Sequence, residues 1–88
     1  MAGFVGMDID AVRALATQMN NNADQIQNLM NTMTTQLQNT NWVGPDREKF
    51  LGDWQSTHVS QLNNVITGLQ QASQDAQRNA GEQETASI

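Results

Sequence analysis

The sequence predicts an all-α fold, an antiparallel two-helix hairpin that dimerises into a four-helix bundle. Apolar residues recur at helical spacing over two stretches, and each stretch covers nearly half of the 88 residues. The joint between the stretches is about five residues long, so the two helices must lie antiparallel. Each helix carries an apolar face that is too broad for one neighbouring helix to cover, and a second hairpin is therefore expected.

The first helix is predicted over residues 8–39, after a flexible N-terminal arm of residues 1–7. Asp8 suits the N-cap, because its carboxylate can accept a hydrogen bond from a first-turn amide. Met7 and Val12 have the spacing of a hydrophobic staple around that cap. We therefore expect the helix to begin directly after Asp8.

A heptad stripe of apolar residues runs along the predicted first helix, with spacings that alternate between four and three. The stripe keeps its phase on both sides of Asn20–Asn22, so we expect the helix to continue through these three poor helix formers. Two leucines beside the stripe widen it towards more than one partner helix. The stripe and these leucines are Val12, Leu15, Ala16, Met19, Ala23, Ile26, Leu29, Met30, Met33 and Leu37.

The turn is predicted at residues 40–44, around Trp42-Val43-Gly44. Pro45 suits the first helical position, and the residue before a proline avoids the α region. Gly44 is therefore expected near the N-cap of a second helix that covers residues 45–80. The Trp42 side chain is expected to cap the bundle end while one edge stays available to a partner.

The second helix carries a heptad stripe with one phase slip near His58. Phe50, Val59 and Ile66 broaden this stripe. Phe50 and Trp54 are interpreted as core, and Gly81 as the C-terminal stop of the helix. Residues 82–88 are then a flexible C-terminal tail, and residues 8–81 form the hairpin. The predicted stripe is Leu51, Trp54, His58, Leu62, Val65, Leu69, Ala72 and Ala76.

Composition argues against several classes of function. The net charge is −5 with four Lys and Arg residues, which disfavours nucleic acid as a partner. No apolar run approaches the length of a transmembrane helix, so no stable membrane insertion is expected. The chain has no cysteine and one histidine, so we expect no metal, no cofactor and no catalytic residue. Ser56 and Ser60 flank His58, but helical residues two apart do not face each other.

The predicted hairpin has Trp-x-Gly at its turn, and residues 1–7 lack the basic and apolar regions of a Sec-type signal. With these features, residues 8–84 resemble the WXG-motif, or ESAT-like, family. Its members are small proteins of actinobacteria and Gram-positive bacteria that leave the cell through type VII, or ESX-like, secretion systems. The resemblance implies a non-enzymatic secreted protein that is cytoplasmic before export. It also implies export as a folded dimer, driven by an FtsK/SpoIIIE-like secretion ATPase.

The family's export signal has two parts, and each maps onto this chain. The Trp-x-Gly motif corresponds to Trp42 and Gly44. A Tyr-x-x-x-Asp/Glu motif usually follows in the tail, and beside the partner's Trp-x-Gly it completes the signal. Here Arg78 stands at the tyrosine position and Glu82 at the acidic position. The resemblance therefore carries over the acid and departs from the family at the aromatic residue.

Several alternatives stay open from the sequence. The broad stripes on both helices favour a homodimer, but a heterodimer with a related WXG-motif chain fits the same pattern. The missing tyrosine also fits a non-exported adaptor or chaperone-like partner of a related secreted chain. A membrane-active effector is a further alternative, although the polar faces lack the Lys and Arg of interfacial helices. His58 on the stripe gives either a pH-sensitive dimer or a histidine whose ring edge stays in water.

Overall fold

A computed structural model describes residues 8–86 as a helical hairpin, which confirms the predicted all-α hairpin. Helix α1 spans Ile9–Asn39, α2 spans Pro45–Asp53 and α3 spans Val59–Ala86. A π-helical turn over Trp54–His58 joins α2 to α3 without a break in the helical arm. The molecule is elongated, with extents of 66 × 18 × 17 Å. The turn therefore lies at one end and the two termini of the hairpin at the other.

The start of α1 follows from its first residues. The Asp8 carboxylate accepts a hydrogen bond from the Ala11 amide at 3.1 Å, which satisfies one of the unpaired first-turn N–H groups. Asp10 adds negative charge where the helix dipole favours it. The helix runs through Asn20–Asn22, as predicted. Met7, and with it the predicted staple and the N-terminal arm, lies outside the described residues, as do residues 87 and 88.

The seam between α1 and α3 is built from positions seven residues apart on each helix. The buried residues of α1 are Ala16, Ala23 and Met30, and those of α3 are Ile66, Ser73 and Ala80. The Ser73 hydroxyl donates a hydrogen bond across the seam to the Ala16 carbonyl at 2.7 Å. This bond satisfies the one polar side chain among the buried residues of the described chain.

The π-helical turn accounts for the phase slip in the second stripe, and it places different residues in the seam from those that we predicted. The Val59 amide bonds the Trp54 carbonyl, five residues before it, so the turn contains one residue more than an α-helical turn. As a result Trp54 and Val59 share the seam face. The seam therefore passes through Val59 and Ile66, whereas His58 and Val65, which we expected on the stripe, are exposed in the single chain.

The end of the second arm also differs from the sequence prediction. Helix α3 continues through Gly81 to Ala86, so Gly81 does not stop it and residues 82–86 are not a frayed tail. A stop at glycine uses a left-handed conformation, and Gly44 is the one residue with positive φ among residues 8–86. Arg13 donates two hydrogen bonds to the Glu84 carboxylate, at 3.0 and 3.1 Å, and ties this last helical turn to α1.

Candidate functional site

The chain reverses through a short turn whose geometry requires glycine. Gly44 has φ 133° and ψ 176°, a region that side chains with a Cβ rarely adopt. It is the N-cap of α2, as predicted, and its carbonyl accepts the Glu48 amide at 3.3 Å. Before it, the Trp42 amide donates to the Thr40 carbonyl at 2.8 Å. Backbone geometry alone therefore explains why Gly44 precedes Pro45.

The side chains of the turn present an apolar surface to solvent. The Trp42 and Phe50 rings meet at a centroid distance of 5.7 Å and an angle of 55°, a tilted arrangement that aromatic pairs favour. Trp42 is 37% exposed, Phe50 47% and Val43 90%. Trp42 therefore packs on Phe50 while keeping an edge free, and Phe50 is not the core residue that we expected.

An open hollow of about 250 Å³ lies beside Trp42. The Arg47 guanidinium at its rim donates to the Glu48 carboxylate at 3.0 Å and to the Gln38 carbonyl at 3.5 Å. The hollow thus combines an aromatic edge, backbone polar groups and a neutralised charge pair. Its lining residues are Thr40, Asn41, Trp42, Val43, Gly44, Arg47 and Glu48.

The predicted tail motif forms an ion-pair cluster on the surface of α3. Arg78 lies 3.0 Å from the Asp75 carboxylate and 3.9 Å from that of Glu82. Arg78 and Glu82 are exposed, and Asp75 is half-buried. Arg78 is thus held by acids of its own helix. This cluster lies in the last part of α3, at the opposite end of the 66 Å hairpin from Trp42. A single chain does not bring the two halves of the predicted signal together.

One side of the hairpin is an exposed apolar face. Leu15 and Leu29 each precede a buried seam residue of α1 by one position, and Val65 does so on α3. In two antiparallel helices, residues that precede the seam turn to the same side. A hollow of about 250 Å³ lies on this side, lined by Ile26, Leu29, Met30, Met33, Trp54 and Leu62. We call this surface, with Leu15 and Val65, the apolar face.

The opposite side of the hairpin is polar. The residue directly after each buried seam residue is polar or glycine, whereas large apolar residues precede three of the seam residues. The residues that follow the seam positions are Thr17, Asp24, Asn31, Thr67, Gln74 and Gly81. The hairpin thus has one face suited to water and one that leaves large apolar side chains uncovered.

The residues predicted to pack fall into three groups in the single chain. Met30 is buried at 6% exposure. Leu15, Met33, His58 and Val65 are exposed. The half-buried residues are Val12, Met19, Ile26, Leu37, Leu51, Trp54, Leu62 and Leu69. Sequence reasoning placed Val59 and Ile66 beside the stripe rather than in the seam, and it missed Ser73. The unbroken three-four spacing from Val59 to Ala80 was the signal that could have located all three.

Charged groups at the turn end pair with one another. Lys49 lies 2.8 Å from Asp53, and this contact lowers the pKa of the Asp53 carboxyl and raises that of the Lys49 ammonium. The centroids of the His58 and Trp54 rings lie 6.0 Å apart.

Within residues 8–86, no three His, Cys, Asp or Glu side chains converge in a way that could hold a metal ion. No helix of the described chain has the length and apolarity needed to cross a bilayer.

The chain was compared with protein-family models, with curated proteins and with solved structures, and nothing matched in any of the three comparisons. The hairpin, its turn and its apolar face are therefore the features from which a function can be inferred.

Proposed function

We propose that this chain is a non-enzymatic protein of the WXG-motif type, exported as a folded dimer by a type VII secretion system. The observation that carries the proposal is a half-exposed tryptophan in a Trp-x-Gly turn at the tip of a helical hairpin. Trp42 and Gly44 occupy the sharp reversal, where a receptor can reach them from outside the helices. A secretion ATPase of the FtsK/SpoIIIE type is the proposed receptor.

The apolar face supports the dimer part of the proposal. Leu29 is 69% exposed and Leu15 51% exposed, and both lie on a face whose hollow is almost entirely apolar. A second hairpin laid on this face would remove these side chains from water, at roughly 25 cal/mol per Å² of apolar surface. A specific contact of this kind buries at least about 1,000 Å². The resulting assembly is a four-helix bundle, with a homodimer as the simplest form.

An antiparallel arrangement of the two hairpins would bring the turn and the tail motif together. Trp42 and the Arg78–Glu82 cluster lie at opposite ends of one 66 Å molecule. Two hairpins in opposite directions place the turn of one beside the last turns of α3 of the other. We propose this composite end as the surface that is recognised for export.

The dimer is tested by sedimentation of the parent chain and of two variants that each add one negative charge. Leu29→Asp places the charge on the apolar face, and Asn31→Asp places it on the polar side. We expect the parent and Asn31→Asp to sediment as dimers and Leu29→Asp as a monomer. Three monomers, or three identical dimers, would contradict the assignment of this face.

Export is tested by secretion from a bacterium that carries a type VII system. Trp42→Ala and deletion of residues 78–88 are expected to abolish appearance in the culture filtrate. Trp42→Ala should keep the helicity of the parent by circular dichroism and its dimeric mass, whereas the deletion should lose the helical signal of residues 78–86 and remain a dimer. Val43→Ala is the matched control and should be exported like the parent, because Val43 is the unspecified middle residue of Trp-x-Gly and its side chain is exposed. Undiminished export of Trp42→Ala would refute the proposed role of the turn.

A second candidate is favoured by the ion pairs of Arg78. This side chain stands where the family has an aromatic residue, and it is bound to Asp75 and Glu82. A chain with half a signal would act as a non-exported adaptor, or would leave the cell with a related WXG-motif chain that supplies the other half. Expression of the tagged chain alone separates the candidates, because culture-filtrate protein without a co-expressed relative is expected only from self-sufficient export.

A further inference from the structure

A polar contact at the turn end of the hairpin is not used by the proposed function. The Trp54 indole N–H donates to the Thr34 hydroxyl oxygen at 2.8 Å, and the Thr34 hydroxyl donates to the Met30 carbonyl at 2.9 Å. Both Thr34 and Trp54 are half-buried. The contact crosses from α1 to the first residue of the π-helical turn. It therefore fixes the orientation of the Trp54 ring within the seam.

Few other contacts hold α2 in place. None of its nine residues is buried. Leu51 and Arg47 are half-buried, and the bond from Arg47 to the Gln38 carbonyl is long at 3.5 Å. The contact between Trp42 and Phe50 joins α2 to the turn rather than to α1. The rotation of α2 about its own axis therefore depends mainly on Trp54, the residue that follows it.

The π-helical turn has an α-helical alternative that would rotate α2. One residue in an α-helix turns the chain by about 100°. Removing the π geometry without deleting a residue would rotate α2 by about that angle relative to α3. Trp54 would then leave the seam, and Gln55 would take its place. The bond to Thr34 is possible only while Trp54 stays in the seam, so it stabilises the π form over the α form.

We propose that Thr34 is a positioning residue for the turn. Thr34 holds Trp54 in the seam, Trp54 maintains the π-helical turn, and that turn sets the side on which α2 presents Phe50 and the Trp42 ring that packs on it. The consequence for export rests on the proposed function. The structural part concerns this chain alone and is measured independently.

The structural test compares three threonine variants in a Trp42→Phe background, where Trp54 is the remaining tryptophan of the two in the chain. Thr34→Val keeps the shape and removes the hydroxyl, whereas Thr34→Ser keeps the hydroxyl. Thr17→Val is the matched control, because the Thr17 hydroxyl also donates to a carbonyl four residues earlier but meets no indole. Acrylamide quenching reports the exposure of Trp54, and amide hydrogen exchange reports the opening of residues 50–58.

Thr34→Val is expected to raise quenching, to shift the Trp54 emission to longer wavelength and to speed exchange over residues 50–58 about fivefold, the effect of one lost hydrogen bond. Exchange over residues 62–80 should stay as in the parent. Thr34→Ser and Thr17→Val should behave like the parent in every measurement. Unchanged Trp54 quenching in Thr34→Val, or equal changes in Thr34→Ser, would overturn the proposal.

The export arm uses the same threonine variants with Trp42 restored. We expect Thr34→Val to lower export while Thr34→Ser and Thr17→Val leave it unchanged. Normal export of Thr34→Val, in a host where Trp42→Ala abolishes export, would overturn the link from Thr34 to the turn. If Trp42→Ala is exported normally, the proposed function fails, and the fluorescence result still decides the role of Thr34.

Discussion

The two halves of the hairpin differ in the size of the side chains that fill the seam between the helices. In the terminal half, residues 9–23 and 67–86, the seam contains Ala16, Ser73 and Ala80, each with no exposed surface. In the turn half, residues 24–66, Met30 and Trp54 border an apolar hollow of about 250 Å³. Small seam residues let two helices close upon each other. Large ones keep them apart and leave apolar surface for another molecule to cover.

The irregular features of the molecule collect in the turn half. The π-helical turn over Trp54–His58 and the positive φ of Gly44 both lie there. The aromatic pair of Trp42 and Phe50 also lies there and is partly exposed. The terminal half is regular α-helix, and its seam residues are buried by contacts within one chain. The comparison indicates that the terminal half is packed within one chain, whereas the turn half leaves more apolar surface uncovered.

The largest effect on this comparison is expected from truncating Met30, which is 6% exposed and packs against Ala23 and Ile66. Met30→Ala should lower the free energy of unfolding by about 2–5 kcal/mol, because it leaves a cavity in the seam. Met33→Ala removes a 44% exposed side chain from the same hollow and should cost about 1 kcal/mol or less. Urea denaturation measures both in a Leu29→Asp background, where the dimer is not expected to form, and equal losses there would contradict the exposure of Met33 in the single chain.

The close approach of the helices in the terminal half is tested by enlarging Ala16. Ala16→Leu inserts three carbons where the Ser73 hydroxyl reaches the Ala16 carbonyl, and it should cost about 1–3 kcal/mol. Ala14→Leu, at an exposed position of the same helix, should change stability by less than about 0.5 kcal/mol. Thermal unfolding by circular dichroism separates the two variants. An Ala16→Leu chain as stable as the parent would mean that this half is not closely packed.

The turn is tested with two glycines of the turn half. Gly44→Ala forces a side chain into a conformation that only glycine adopts readily and should cost about 1–3 kcal/mol. Gly52 lies in α2, and a Cβ there would meet nothing within 4 Å. Gly52→Ala should therefore stabilise the chain by about 0.5–1 kcal/mol. We expect the denaturation midpoint to fall in Gly44→Ala and to rise in Gly52→Ala. Shifts in the same direction would contradict the positive φ assigned to Gly44.

The smallest effect concerns the last turn of α3 in the terminal half. The Arg13 guanidinium donates hydrogen bonds to the Glu84 carboxylate and lowers its pKa. A lowered carboxyl pKa gives stabilisation that is present above about pH 4.3, the ordinary value, and is lost as the pH falls through the lowered pKa. The effect is small because both groups are largely exposed.

Carbon-13 chemical shifts of residues 81–86 measure this local helicity directly. We expect helicity in the parent to fall on acidification from about pH 6 to about pH 3. Arg13→Gln should begin with lower helicity and show a weaker pH dependence. A parent and variant with the same pH profile would assign the stability of this turn to contacts other than Arg13.

Local sequence signals determined the elements of this protein. Asp8 and Gly44-Pro45 placed the two helix starts, because caps and proline act over three or four residues. The heptad spacing determined both arms, and the short joint determined their antiparallel course. The phase slip near His58 also marked the position of the π-helical turn in the sequence. These features depend on neighbours along the chain, which a sequence displays directly.

The tertiary structure decided what depends on contacts between the arms. Val59 and Ile66, rather than His58 and Val65, enter the seam, because Trp54 bonds Thr34 twenty residues away and fixes the phase of the second arm. Gly81 stays helical while Arg13, seventy-one residues from Glu84, holds the last turn. The exposure of Phe50 beside Trp42 also follows from this arrangement. Such contacts join residues remote in sequence, and periodicity along one helix carries no information about them.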